Sequence, residues 1–167
     1  DGDGIAWSPD GRVIAFSSFR ERGNQELYLL DVAGGGVRRL TNSPDMDRYP
    51  AFSPDGQRIL FVSLRNGGVA TVHISDVDRW APIALPAIGW EPAWSPNGEQ
   101  FLFSRWDLAK LDTDIYVADA EGRRQRNLTD KFGADSHPDW LDPSYVRGIS
   151  PAGQAAVTWG SLKRPPR

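Results

Sequence analysis

The string Ala6-Trp7-Ser8-Pro9-Asp10-Gly11 returns as Ala51-Phe52-Ser53-Pro54-Asp55-Gly56 and again as Ala93-Trp94-Ser95-Pro96-Asn97-Gly98. A weaker echo stands at Ile149-Ser150-Pro151-Ala152-Gly153. The aromatic recurs after 45 and then 42 residues, so the joints between copies vary. Within a copy the spacing is tighter. Phe16, Phe61 and Phe103 each stand nine residues beyond the aromatic. Asp31, Asp76 and Asp119 follow 15 or 16 further on, and Thr41, Pro86 and Thr129 ten beyond those. Constant spacing inside variable joints marks one supersecondary unit copied three times.

Each copy reads as four strands. Strand a ends at Trp7, Phe52 or Trp94. Ser-Pro-Asp/Asn-Gly makes a tight turn: proline presets φ, the Asp or Asn side chain caps, and glycine takes positive φ. Strand b is Val13-Ile14-Ala15-Phe16, Ile59-Leu60-Phe61-Val62 and Phe101-Leu102-Phe103. Strand c is the run around Tyr28, His73 and Tyr116. Strand d is Arg38-Arg39-Leu40-Thr41 and Arg126-Asn127-Leu128-Thr129, with a degenerate Ile83-Ala84-Leu85-Pro86 in the second copy. No segment sustains a 3.6-residue period, so no helix is expected. Four strands per 40–45 residues is the blade of a β-propeller, which must pack on neighbours to bury both sheet faces. The periodic aromatics are therefore core residues.

Composition agrees. The 17 Gly and 13 Pro among 167 residues supply the turns, and 11% aromatics supply an interior. A net charge of -3 argues against a nucleic-acid binder, which presents a basic surface. No run reaches the length of a membrane span. Zero Cys excludes disulfides, thiolate metal sites and Cys nucleophiles.

Pro-x-Trp/Phe-Ser-Pro-Asp-Gly, then x-Ile-x-Phe-x-Ser, Ile-Tyr-x-x-Asp and x-x-Leu-Thr resemble the WD-like propeller repeat of TolB-type proteins, best over residues 5–138. The resemblance implies an all-β bacterial propeller of six or more blades, periplasmic or extracellular, acting as a non-catalytic binding scaffold at one mouth of its channel. It also implies a protein or peptide partner, with a glycan as a further candidate. The sequence departs from the pattern at His73, at Pro86 and through the tail.

The expected organisation is one partial propeller over 1–167. Blade 1 covers 5–49, blade 2 covers 50–91 and blade 3 covers 92–137, with a partial closing blade and tail at 138–167. Asp135-Ser136-His137-Pro138-Asp139-Trp140 reads as the start of a fourth strand a. Val157-Thr158-Trp159-Gly160 continues it weakly before a basic, Pro-rich end at 163–167. Three blades and a remainder imply either part of a longer ring or two partial rings that self-associate.

Loops from d to a and from b to c leave one end of the blades, and loops on a rigid scaffold carry function. That end collects Asp47, Tyr49, Trp90, Glu91, Trp106, Asp135 and His137, with Trp106 in the longest b-to-c loop, 105–113. Tyr49, Trp90 and Trp106 lie outside the core register, and aromatics favour binding hot spots. Asp47, Glu91, Asp135 and His137 would suit Ca2+ if they converged, but no dense ligand spacing accompanies them, so no metal or cofactor is expected. There is no G-x-S-x-G elbow and only two histidines, which argues against an enzyme. The alternative is a propeller lyase of the oligogalacturonate type or the accessory propeller of a serine peptidase.

Overall fold

A computed structural model describes residues 4–21, 23–130 and 133–141. The echo at 149–153, the strand-like 157–160, the basic end and most of the expected closing blade lie outside the described residues.

Three four-stranded antiparallel sheets form, each a simple meander. Blade 1 holds β1 (Ile5–Trp7), β2 (Val13–Ser18), β3 (Glu26–Asp31) and β4 (Val37–Arg39). Blade 2 holds β5 (Asp47–Phe52), β6 (Arg58–Asn66), β7 (Val69–Asp76) and β8 (Ile83–Ile88). Blade 3 holds β9 (Trp90–Trp94), β10 (Gln100–Asp107), β11 (Asp112–Asp119) and β12 (Arg126–Asn127). There is no helix among the described residues. The inner strands β1, β5 and β9 lie side by side. The fold is an all-β propeller arc.

The repeated turn has one geometry. Ser8 Oγ donates to Asp10 Oδ1 at 2.6 Å and accepts from Val13 N at 2.9 Å. Asp10 Oδ1 also accepts from Arg12 N at 3.1 Å. Gly11 N donates to Ser8 O at 2.9 Å, with φ 71° at Gly11. The Ser53–Asp55 and Ser95–Asn97 turns repeat these bonds, with φ 71° at Gly56 and 70° at Gly98. Neighbouring turns stack, so a Cβ on Gly56 or Gly98 would meet the preceding blade's Pro9 or Pro54 at 3.5 Å.

Directly opposed residues share a sheet face. Each blade therefore has an aromatic face and an aliphatic face. The aromatic face of blade 2 (Phe52, Ile59, Phe61) packs on Ala15, Leu27, Leu29 and Leu40 of blade 1. The aromatic face of blade 3 (Trp94, Phe101, Phe103, Tyr116) packs on Leu60, Val72, Leu85 and Ala87 of blade 2. The aliphatic face of blade 3 (Leu102, Ile115, Val117) receives Trp140. Each fully buried Phe contributes about 1.5–3 kcal/mol by leaving water. The aromatic face of blade 1 faces no sheet among the described residues, and Ile5 and Trp7 stay exposed.

Two sequence expectations are corrected. Ile83-Ala84-Leu85-Pro86 is not a degenerate end: β8 is the longest outer strand and runs six residues to Ile88. Proline is tolerated there because the outermost strand is a sheet edge. Where Thr41 and Thr129 accept from Leu27 N and Ile115 N, both at 2.9 Å, Pro86 has no hydroxyl. The chain instead continues through a bulge, pairing Thr71 with Ile88. Residues 105–113 are likewise not a long loop. β10 and β11 pair through to Asp107 and Asp112, so Trp106 sits in a strand opposite Thr113.

His73 is structural. It is buried, its ring lies 5.4 Å from that of Phe61, and burial lowers its pKa.

Candidate functional site

The start of each inner strand carries the same backbone departure. Three residues before the Trp or Phe, the chain turns left-handed at Gly4, Tyr49, Glu91 and His137, with φ 89°, 52°, 57° and 55°. The last three precede a proline, Pro50, Pro92 and Pro138. Left-handed φ on a non-glycine residue stores about 1–3 kcal/mol and persists only where the surroundings enforce it. Here the preceding backbone is pinned two residues upstream. Asp47 N donates to Gln25 O at 2.9 Å, Gly89 N to Ala70 O at 2.9 Å and Asp135 N to Thr113 O at 2.8 Å. The pleat also breaks, because the strand pairing shifts register between Arg48 and Ala51 and between Leu102 and Ser104.

Successive left-handed positions lie together as an arc. A Cβ on Gly4 would stand 2.9 Å from Tyr49 Cα. The Tyr49 ring meets the Trp90 ring edge-on, with centroids 6.1 Å apart at 80°. Glu91 meets His137, whose ring Nε2 lies 3.1 Å from Glu91 Oε1 and whose backbone N donates to Oε2 at 2.8 Å. Ser104 Oγ donates to the same Oε2 at 2.9 Å. Residues 133–141 thus repeat the start of an inner strand. Trp140 takes the place of Phe52 and Trp94, and its Nε1 donates to Ala93 O at 3.0 Å.

Of the sequence-derived residues, Tyr49, Trp90, Glu91 and His137 come together on this arc. Asp135 holds the backbone just before it. Asp47 was expected at the mouth but is fully buried, because Arg65 reaches in to it at 2.8 Å. Burial raises its pKa against the pull of Ser63 and Arg65. Trp106 is half exposed on β10, and among the described residues no ring contact joins it to the arc. Sequence reasoning missed Gly4 and Ser104. Their signal was positional: each falls at a fixed offset from a repeat aromatic.

Ser136 Oγ lies 3.0 Å from His137 Nδ1, so Ser136, His137 and Glu91 stand in the order of a charge relay. Ser136 and His137 are exposed chain neighbours. Among the described residues no group of three or more His, Cys, Asp or Glu could hold a metal ion. Among the described residues no helix is long and apolar enough to cross a membrane.

Residues 4–82 match the TolB beta propeller domain family. An uncharacterized protein of Agrobacterium fabrum is 30% identical over 148 residues, which cover 80% of this chain and 49% of that protein. The Tol-Pal system protein TolB of Xanthomonas campestris is 54% identical over 37 residues, 22% of this chain and 8% of that protein. The crystal structure of TolB from Acinetobacter baumannii superposes with a TM-score of 0.72 at 26% identity, over 81% of this chain and 34% of that one. The chain thus spans about half the length of the Agrobacterium protein and less of the other two. The motif, the three meander sheets and these likenesses agree: residues 4–82 carry a TolB-type propeller match, and the described blades form a propeller fragment similar to TolB.

Proposed function

We propose that this chain is a non-catalytic binding scaffold whose arc presents Tyr49, Trp90, Glu91 and His137 to a protein or peptide partner. One observation carries the reading. The same strained backbone recurs on consecutive inner strands, yet it displays a phenol, a carboxylate and an imidazole. A purely structural bulge would need only glycine, as at Gly4. Rigid presentation lowers the ordering cost of binding, so a fixed scaffold suits a recognition role. The Tol-Pal name of the Xanthomonas relative supports a protein partner, and the family likeness supports a periplasmic setting. The role uses no metal or cofactor.

Site-specific photo-cross-linking tests it. The intact chain would carry a photoreactive side chain at position 49 or, as a control, at position 12 in the turn at the other end of the blade. In a bacterial periplasmic extract, a protein captured from position 49 and not from position 12 is the expected outcome. Equal capture from both, or capture from position 12 alone, removes the arc as the binding site.

A further inference from the structure

We propose that the arc's guest is a cationic side chain, a lysine or arginine on an extended peptide segment, with its charge on Glu91 and its stem against Trp90 and Tyr49. This inference rests on the arc being the binding site and names the chemistry that it selects.

The two oxygens of Glu91 are held differently. Oε2 is fixed by Ser104 Oγ and by the backbone N–H of His137. Oε1 faces the His137 imidazole, which is 79% exposed while the Glu91 side chain is 14% exposed. A ring that open to water can swing aside. Oε1 is therefore an exchangeable acceptor on a carboxylate that its other oxygen keeps in place. A guest ammonium or guanidinium brings a fixed charge to that oxygen, and charge-assisted bonds are the stronger kind.

The rings beside it suit the same guest. An edge-on aromatic pair presents a ring face, and ring faces attract cations. The protein uses this contact in all three blades: Arg20 over Tyr28 at 4.9 Å, Arg58 over Trp94 at 4.9 Å, and Arg105 over Tyr116 at 5.1 Å. Arg65 over Phe61 at 5.7 Å is a looser case. Among the described residues no such cation stands over Trp90. Charge on the same end of blade 3 favours approach. Among the described residues, Asp107, Asp112, Asp130 and Asp135 outnumber Arg105 and Lys110 there, and Lys110 is already held by Asp114 at 2.8 Å and Asp130 at 2.6 Å. An acid excess around a cleft raises the local concentration of cations.

The test uses the intact chain and four short peptides: Ac-Gly-Lys-Gly-NH2, its arginine analogue, its norleucine analogue and its glutamate analogue. The readout is the Trp90 indole N–H in a proton–nitrogen spectrum, assigned with Trp90→Phe. Saturable shifts with the lysine and arginine peptides alone are expected. Glu91→Gln should weaken them about tenfold, the loss of one charged hydrogen bond. His137→Asn, which tolerates left-handed φ, should tighten them by removing the competitor. If the norleucine or glutamate peptide moves Trp90 as far as lysine does, the arc binds peptides without reading charge; this inference fails and the scaffold reading stands. If no peptide moves Trp90, or Glu91→Gln changes nothing, the inference also fails. Failure of the position-49 cross-link instead removes the scaffold reading itself.

Discussion

Trp7 and Trp94 occupy the same place in equivalent hexapeptides that differ only at Asp10 and Asn97, and each ends an inner strand and leads into the same kind of turn. Trp94 is 8% exposed and Trp7 is 56% exposed. The difference lies in what faces them. Trp94 meets the aliphatic face of blade 2, with Phe101 at 6.2 Å and the Arg58 guanidinium 4.9 Å over its ring. Trp7 meets no sheet among the described residues. Local sequence therefore sets the turn and the strand, whereas a neighbouring blade sets burial. In a repeat architecture these are separate contributions to stability, one intrinsic to the unit and one to the interface.

The largest effect should fall on that contrast. Trp94→Ala should cost about 3–5 kcal/mol, the usual cost of emptying a buried aromatic site. Trp7→Ala should cost less than about 1 kcal/mol, because little area leaves water there. Urea unfolding of the intact chain measures both. Equal costs would mean that the face of blade 1 is covered in solution, and would break the comparison.

A second contrast sets two buried aspartates against each other. Both Asp47 and Asp114 are fully buried. Burial pushes both carboxyls up, but at Asp114 the bonds from Lys110 at 2.8 Å and Asn127 at 2.9 Å outweigh it and its pKa ends below the ordinary value. Asp47 ends above it. The signs follow from which state holds the proton more tightly. The Asp114 contribution is fully present above about pH 4, the ordinary carboxyl range, and is lost as pH falls through its lower folded pKa. Asp47 acts the other way: the folded state keeps its proton longer, so stability is lost as pH rises from about 4 through its raised pKa. Asp114→Asn should therefore cost about 1–3 kcal/mol at pH 7, less as pH falls toward 2. Asp47→Asn should gain on the unaltered protein as pH rises from about 4 to 7. Unfolding midpoints across that pH range separate the two. Parallel curves would show that the two sites do not differ in proton affinity.

The same separation explains what could be read from the sequence. The blades were legible because Ser-Pro-Asp-Gly and alternating strands are local patterns, and all three turns formed as the residues dictate. The left-handed bulge was not legible. A residue before proline favours extended backbone, so Tyr49-Pro50, Glu91-Pro92 and His137-Pro138 argued against the conformation they adopt. That conformation is enforced by strand c, through bonds such as Asp47 N to Gln25 O, and no pattern within the loop encodes it. Asp47 misled for the same reason. A loop aspartate is ordinarily exposed, and its burial depends on Arg65, 18 positions away. Tyr49, Trp90, Glu91 and His137 were singled out because irregular residues stand out against a regular repeat. Their meeting in pairs, ring to ring and carboxylate to imidazole, required the blades to be stacked.

The smallest expected effect is the sharpest check that turn and interface are separable. Asp10 and Asp55 fill the same role in their turns, each accepting from a serine hydroxyl and a backbone N–H, and the serine bond in particular holds both carboxyls below their ordinary pKa. Asp10 belongs to the blade whose aromatic face meets no sheet among the described residues, and Asp55 to a blade covered on both sides. If the turn is local, Asp10→Ala and Asp55→Ala should cost the same, about 1 kcal/mol, as loss of a capping side chain usually does. Burial cannot help either of them, since both carboxylates face water. If Asp55→Ala instead cost several times more than Asp10→Ala, the stacking of Gly56 on Pro9 would be carrying interface energy through the turn. Turn and interface would then be one contribution, and the small predicted cost of Trp7→Ala would have to come from the absence of both.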